Sequence, residues 1–261
     1  MVQKRSTQQQ KRSTQTQKRS PQTPEQHAIV RWTAGLGAIT AAALAQHMDV
    51  TLASARARLA ACERAGLLKR TSVLAGEPPL YTVTSAGLRA AGVKGVEPCR
   101  LSAANAPHAQ ACAGVAAALE RAYPDQRVMG ERELRHEERQ AGAPLASASL
   151  GDSLHRPDLV LWPNDAGRGL PVAVEVELTV KAPQRLTDIC RAWARCGQVA
   201  GVLYLVAPEV ERPLARAIER AGAQQQVLLV GLDALPSLEP GTRGRSDPGE
   251  QAFESPVPGD A

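Results

Sequence analysis

Residues 172–180 limit the possible folds of this chain more than any other segment, because valine or leucine alternates there with other residues (VAVEVELTV). Successive side chains of a β-strand point to opposite faces of the sheet. The pattern therefore predicts a strand with one aliphatic face and an opposite face that carries Glu175, Glu177 and, just beyond, Lys181. Burying a carboxylate is costly unless it binds a cation or a base, so the two acids mark this strand as a candidate functional site.

The sequence around this strand predicts a mixed α/β sheet with helices packed on its faces. A predicted strand at 127–134 is followed by charged and small residues over 135–152, which indicate a long, poorly ordered loop. The other predicted elements are the helices 108–122, 183–196 and 209–221 and the strands 156–162, 172–180, 201–206 and 227–232.

Asp158 adds a third carboxylate, because it lies on the predicted strand that precedes Glu175 and Glu177. If the two strands pair, the three carboxylates come together. Such a group suits Mg²⁺, which takes one or two protein carboxylates with waters and phosphate oxygens. A metal held there can activate water for phosphodiester hydrolysis. The structural alternative is that the acids lie exposed at a sheet edge.

Residues 25–92 show a second pattern, in which three helices precede a hairpin and a short closing helix. Thr40 stands where the cap of the second helix is expected. The third helix begins near Thr51, and Gly66 ends it as a C-terminal glycine does. This order resembles a winged helix-turn-helix domain, and the runs AGLLKR and YTVTSAG resemble the wing of many bacterial regulators. The predicted strands of the hairpin are 67–74 and 80–83.

The third helix of this region is the candidate DNA-reading helix. Thr51, Ser54 and Arg58 lie on one flank of its apolar stripe, and Arg56 lies on the other. Hydroxyls and arginines near the start of such a helix suit contacts with phosphates and base edges in the major groove of double-stranded DNA. The alternative is a protein–protein module whose arginines are solvated.

The formal net charge of +5 is unevenly distributed. Residues 1–24 carry +6, residues 25–92 carry +3 and residues 93–261 carry −4, so any attraction to phosphate is concentrated in the N-terminal part. The Lys-Arg-Ser-Thr repeats within 1–24 have no apolar seam and predict a disordered basic tail. The segment 237–261, rich in Pro, Gly, Ser and acids, also predicts disorder.

The remaining composition excludes several classes of protein. No apolar run approaches the roughly 18 residues of a membrane span, and the N-terminus lacks the apolar stretch of a secretory signal, so we expect a cytoplasmic protein without membrane contact. Five cysteines without a CxxC pair argue against a disulfide framework and a structural zinc site. His108, His136 and His155 lack metal-ligand spacing and are expected at the surface.

A Pro-Asp pair at 157–158, followed by Glu-Val-Glu at 175–177, resembles the core motif of the PD-(D/E)xK nucleases. A winged helix followed by such a core is similar to the replication-relaxation proteins of bacterial plasmids and other mobile elements. The resemblance covers residues 28–232. Between the two predicted tails at 1–24 and 237–261, it implies a winged helix-turn-helix at 25–92, a linker at 93–107 and a nuclease-like α/β domain at 108–236.

This resemblance also implies roles for individual residues. Asp158 and Glu175 would be metal ligands, with Mg²⁺ or Mn²⁺ as the cofactor. Glu131 or Glu133, on the predicted first strand, would supply the additional acid that many members carry.

The chain departs from the family at the lysine, which the motif places two residues beyond the second acid. Glu177 stands at that position, and Lys181 lies four residues further, roughly 13 Å along a strand. The candidate catalytic set is therefore Asp158, Glu175, Glu177 and Lys181, and Lys181 could serve only if the strand ends and the chain curls back.

The resemblance implies a double-stranded DNA-binding protein of plasmid or mobile-element replication and relaxation. The sequence leaves open whether this protein forms a homodimer. Two functions remain open from the sequence. The first is a metal-dependent endonuclease that hydrolyses phosphodiester bonds with Glu in place of the usual Lys. The second is a non-enzymatic winged-helix regulator or replication accessory protein with a degenerate nuclease-like domain.

Overall fold

The computed structural model describes residues 22–73, 75–163 and 169–234, which form a mixed α/β structure. Residues 1–21, with the Lys-Arg repeats, and the predicted tail 237–261 lie outside the described residues. Within the described part of the chain, no helix has the combination of length and apolar character that a bilayer crossing requires.

Four helices and three short strands make up the N-terminal part, and a threonine caps every one of these helices. The side-chain oxygens of Thr23, Thr40, Thr51 and Thr84 each accept a hydrogen bond from a backbone N–H three residues on, as helix caps do. The elements are α1 (Pro24–Leu36), β1 (Ala38–Ile39), α2 (Ala41–His47), α3 (Leu52–Arg64), β2 (Leu68–Thr71), β3 (Leu80–Val83) and α4 (Ser85–Ala90).

The three strands of this part form an antiparallel sheet in the order β1-β3-β2. The hairpin predicted from the Gly/Pro turn is present, although β2 is shorter than the predicted strand 67–74. The sheet and the helices share one apolar core, whose largest buried residues include Ile29, Leu44, Leu59 and Leu67.

The C-terminal part contains a five-stranded mixed sheet in the order β10-β9-β8-β7-β4. The pairs β4–β7 and β7–β8 are antiparallel, whereas β8–β9 and β9–β10 are parallel. The strands β5 and β6 form a separate hairpin. The elements are α5 (Ala106–Ala122), β4 (Gln126–Gly130), α6 (Glu131–Ala141), β5 (Ala148–Leu150), β6 (Ser153–His155), β7 (Leu159–Pro163), β8 (Val172–Glu177), α7 (Pro183–Ala194), β9 (Gly201–Val206), α8 (Pro208–Ala221) and β10 (Val227–Gly231).

The sequence prediction for 127–152 was wrong in two respects. The first strand ends at Gly130, and the next residues form α6, so Glu131 and Glu133 lie on a helix rather than on a strand. The predicted loop 135–152 is the rest of α6 and the start of the β5–β6 hairpin. Acids in the first turn favour the N-terminus of a helix, and this local preference ends the strand where the charges begin.

Helices cover both faces of the five-stranded sheet. The helices α7 and α8 pack on one face in a core centred on Trp193. The helix α5 packs on the other face, where Val115 and Leu119 contact the aliphatic side of the strands. Ala113 and Ala117, on a different side of α5, belong to the core of the N-terminal part. The helix α5 therefore joins the two parts of the protein.

Polar contacts add to the packing of the N-terminal part against α5. Glu120 on α5 accepts a hydrogen bond from Trp32 Nε1 at 2.9 Å and lies 2.6 Å from His47 Nδ1. The Trp32 and His47 rings stack with their centroids 4.1 Å apart. These contacts hold α1 and α2 against the helix that covers the large sheet.

Candidate functional site

The strand β8 has the two faces that its alternating sequence predicts. Val174 and Val176 belong to the core beneath α5, and Ala173 belongs to the core beneath α7 and α8. Glu175 therefore projects beneath α7, where Trp193 Nε1 donates a hydrogen bond to its Oε1 atom at 3.2 Å. The strand ends at Glu177, three residues before the predicted end at Val180.

Glu175 is almost completely enclosed, with 7% of its side chain exposed. Its Oε1 atom lies 2.7 Å from Nε2 of His155, the last residue of β6, so the hairpin closes over the carboxylate. Burial raises the pKa of Glu175, and the hydrogen bond and the charge of His155 oppose that rise. The expectation of a surface position for His155 was wrong, since 15% of its side chain is exposed.

Asp158 is the residue immediately before β7, and the register of β7 with β8 makes it a neighbour of Glu175. Leu159 pairs with Val174, so one further step along both strands places Asp158 opposite Glu175. Its carboxylate nevertheless binds elsewhere: Oδ2 accepts the backbone N–H of Val176 at 2.8 Å. The two acids are therefore neighbours in register but use different protein partners.

The second partner of Asp158 is His108, on the first turn of α5. The His108 Nε2 atom lies 3.2 Å from Asp158 Oδ2 and 3.1 Å from the backbone oxygen of Val176. The hydrogen bond to Asp158 raises the pKa of His108, which favours the protonated imidazole that donates to both oxygens. This histidine therefore links α5 to the ends of β7 and β8.

Cys112 follows His108 by one helical turn and completes this cluster. Its Sγ atom lies 3.6 Å from Nδ1 and 3.7 Å from Nε2 of His108. Within the described ranges, His108, Cys112 and Asp158 are the one group of three metal-ligating side chains whose donor atoms all lie within 4.8 Å of each other. Burial raises the pKa of Cys112 well above its ordinary value, so the free thiol is protonated at neutral pH.

Neither His108 nor Cys112 was a predicted site residue. The signal was present in the sequence, because residues four apart on a helix lie on the same face. The sequence did not reveal that Asp158, which follows His108 by fifty residues, lies next to this pair in space.

Glu177 and Lys181 form an ion pair in which Lys181 Nζ binds Glu177 Oε2. The carboxylate is buried, whereas 42% of the lysine side chain is exposed. Because β8 ends at Glu177, the following residues turn before α7 and bring Lys181 back to the strand end. The chain therefore turns back as a role for Lys181 requires, and the Lys181 ammonium group binds Glu177.

Glu131 and Glu133 point to arginines on the protein surface. Glu131 pairs with Arg135 one turn along α6, and Glu133 lies 2.5 Å from Arg127. The backbone N–H of Glu131 donates to the carbonyl oxygen of Asp158 at 2.9 Å. The two backbones are therefore close, but the side chains of Glu131 and Asp158 bind different partners. The structure therefore does not support Glu131 as a metal ligand on a strand beside Asp158, because its carboxylate forms an exposed ion pair within a helix.

These positions meet only part of what Mg²⁺ requires. The ion prefers oxygen ligands in near-ideal octahedral geometry. Asp158 and Glu175 offer carboxylates on adjacent strands, but each accepts hydrogen bonds from its own set of protein donors. Glu131 and Glu177 are held in ion pairs. The described arrangement therefore does not gather the four acids around one point.

The predicted DNA-reading residues occupy the start of α3. The Thr51 hydroxyl caps the helix through the N–H of Ser54. Arg58 donates from Nε to Glu25 at 2.7 Å and from Nη1 to the Ser54 hydroxyl. Arg56 is exposed and has no ion pair with any described residue. Arg56 is therefore available to a ligand, and Arg58 is held by Glu25.

Two further cations, Lys69 and Arg70, are exposed on β2 beside α3. Arg70 pairs in register with Tyr81, and the charges of Arg70 and Arg56 both lower the pKa of that tyrosine against the effect of burial. Because both arginines act on one hydroxyl group, they lie on the same side of the N-terminal part. Lys69 precedes Arg70 on the strand, so its side chain points to the opposite face of the hairpin. We call Arg56 and Arg70 the basic face.

Comparison of the chain with protein-family models, with curated proteins and with solved structures gives no match.

Proposed function

We propose that this chain binds double-stranded DNA through a winged helix-turn-helix formed by residues 25–92 and acts in the replication or relaxation of a plasmid or other mobile element. The observation that carries the proposal is the basic face. It combines a cation on α3 with a cation on the first strand of the hairpin, and neither is paired to a described acid.

The local architecture supports this proposal. The helices α2 and α3 are joined by a short turn in which Asp49 has a positive φ of 50°, and Thr51 and Ala53 at the start of α3 are exposed. The hairpin of β2 and β3 follows directly, and β1 pairs with the other edge of β3. A recognition helix beside a basic hairpin is the arrangement with which such domains contact the major groove and the adjacent phosphates.

The test is a salt titration of duplex binding with the double variant Arg56→Ala and Arg70→Ala. Each phosphate contact contributes about 0.9 to the slope of log K against log salt concentration. Two lost contacts should therefore flatten the slope by about 1.8 and weaken binding about 60-fold at 0.1 M salt.

The matched control removes the same charge from a distant helix. Arg212 and Arg216 are exposed on α8, and their double alanine variant carries the same net charge as the test variant. Binding of the control should stay close to that of the unmodified protein. Equal losses in the two variants would show that only net charge matters, and no loss in the test variant would show that the basic face does not contact DNA.

A second candidate function is metal-dependent hydrolysis of phosphodiester bonds by the C-terminal part. It is favoured by the chain order α5, β4, β7, β8, α7 and β9, apart from α6 and the β5–β6 hairpin between β4 and β7, since the resemblance to PD-(D/E)xK nucleases rests on such an order. It is also favoured by the register that makes Asp158 and Glu175 neighbours. The cofactor would be Mg²⁺ or Mn²⁺, with Asp158 and Glu175 as the residues that would hold it.

Nicking of a supercoiled plasmid separates this candidate from a non-enzymatic regulator. The protein is incubated with Mg²⁺, with Mn²⁺ or with EDTA, beside the isosteric variant Glu175→Gln. Metal-dependent nicking that the variant loses would establish the nuclease. Absence of nicking, with duplex binding intact, would assign the chain to the regulators or replication accessory proteins.

A further inference from the structure

The cluster of His108, Cys112 and Asp158 has donor chemistry that differs from that of a magnesium site. We propose that these three side chains bind one transition-metal ion of the zinc class, with a fourth coordination position open to water. This site lies between α5 and the start of β7 and does not depend on DNA binding or on hydrolysis.

The donor spacing supports the proposal. Tetrahedral coordination with Zn–N and Zn–O bonds of about 2.0 Å and a Zn–S bond of about 2.3 Å places nitrogen about 3.3 Å from oxygen and about 3.5 Å from sulfur. The corresponding distances from His108 Nε2 are 3.2 Å to Asp158 Oδ2 and 3.7 Å to Cys112 Sγ. The remaining sulfur–oxygen separation is within 4.8 Å.

Two features position the ligands before an ion arrives. His108 and Cys112 project from one side of α5 because they are one turn apart, and the N–H of Val176 fixes the Asp158 carboxylate at 2.8 Å. A hydrogen bond of this kind orients a ligating carboxylate. The imidazole must still turn, because Sγ is almost equally distant from its two nitrogens.

Access to the cluster comes from the histidine side. The side chain of His108 is 43% exposed and that of Asp158 is 20% exposed, whereas Cys112 is buried. An ion can therefore enter from solvent and reach the thiol last. Binding replaces the thiol proton and the proton that His108 shares with Asp158, and both protons pass to solvent.

The donor set predicts which ion is bound. Thiolate and imidazole favour Zn²⁺ and related transition metals, whereas Mg²⁺ takes oxygen ligands. Three protein ligands with an exchangeable fourth position are typical of open zinc sites. An ion held here would bind Asp158 and make it unavailable to a second metal beside Glu175.

The test uses the full chain, purified without metal, and Co²⁺ as a spectroscopic substitute for Zn²⁺. One equivalent of Co²⁺ should give the visible absorption of a tetrahedral site together with a near-ultraviolet thiolate-to-cobalt charge-transfer band. Zn²⁺ should displace the cobalt and raise the melting temperature, whereas Mg²⁺ should do neither.

Variants decide whether the cluster is responsible. Cys112→Ser should abolish the charge-transfer band, and His108→Gln, at a partly exposed side chain, should remove stoichiometric binding without unfolding the protein. Cys99→Ser is the control, since Cys99 is also a free cysteine and is more accessible than Cys112. Failure to bind one equivalent, or a band that survives Cys112→Ser, would overturn the proposal. Neither result would affect the DNA-binding test.

Discussion

A buried ion pair beneath the hairpin gives the sharpest prediction for the stability of the site. Glu138 on α6 is 3% exposed at its side chain, and Arg156, which follows β6, donates to its Oε2 atom from Nε at 2.8 Å. The other oxygen of Glu138 accepts from the backbone N–H of Leu145 and from the hydroxyl of Ser147. These bonds tie the β5–β6 hairpin to α6.

We expect Arg156→Met to destabilise the protein strongly, because it leaves the Glu138 carboxylate buried without its counter-charge. Breaking one partner of a buried pair costs about 3–5 kcal/mol. Since 22% of the Arg156 side chain is exposed, the lower value of about 3 kcal/mol applies. With a urea m-value of about 2 kcal/mol/M, the unfolding midpoint should fall by about 1.5 M.

The double variant Glu138→Gln with Arg156→Met tests the physical reason. It removes the buried charge together with its partner, so it should recover more than half of the lost stability. Arg135→Met is the control for a surface pair, since Arg135 and its partner Glu131 are both exposed, and it should cost less than about 1 kcal/mol.

The effect should also reach the candidate site. His155 precedes Arg156 and carries the hydrogen bond to Glu175, so loosening the hairpin should open that pocket. Hydrogen exchange of the β5–β6 amides should accelerate in Arg156→Met while that of α3 stays unchanged. A loss of stability under about 1 kcal/mol, or a double variant as unstable as the single one, would refute this reasoning.

Three further predictions follow from the described contacts. Glu25→Gln should free Arg58, which would steepen the salt slope of duplex binding by about 0.9 and raise affinity up to about 8-fold at 0.1 M salt, as fluorescence anisotropy can measure. Burial raises the pKa of Glu175, so the native state binds the proton more tightly than the unfolded state. Stability therefore falls as pH rises from the ordinary range of a carboxyl towards the folded pKa, and urea titrations should show the advantage of Glu175→Gln growing across that window. Gly130→Ala should cost about 1–3 kcal/mol in the same titration, because a Cβ there meets the carbonyl of Gly35.

The sequence by itself determined the helix starts and the two faces of the central strand. Thr40 and Thr51 cap their helices because a threonine oxygen reaches a backbone N–H three residues on, and that preference needs no distant partner. The alternation in β8 likewise follows from the geometry of any strand, and it separates Glu175 from Val174 and Val176 as predicted. The mixed α/β class followed from the order of these elements.

The sequence did not reveal that β4 ends at Gly130. The charged run after it contains few apolar residues, so its helical character was missed. In α6, the buried face consists of Leu134 and of Glu138, whose charge is compensated by Arg156 eighteen residues away. A pattern of apolar residues does not reveal a helix whose inner face includes a paired acid.

The partners of each acid were decided only by tertiary structure. The order of the predicted strands placed Asp158 and Glu175 on neighbouring strands. In the structure, Asp158 binds His108 and Glu175 binds His155. Both histidines come from elements distant in sequence, a helix before the sheet and a hairpin that the sequence did not predict. Hydrogen bonds and metal ligation depend on distances of a few ångströms, and those distances are set by the packing of α5 and of the hairpin against β7 and β8.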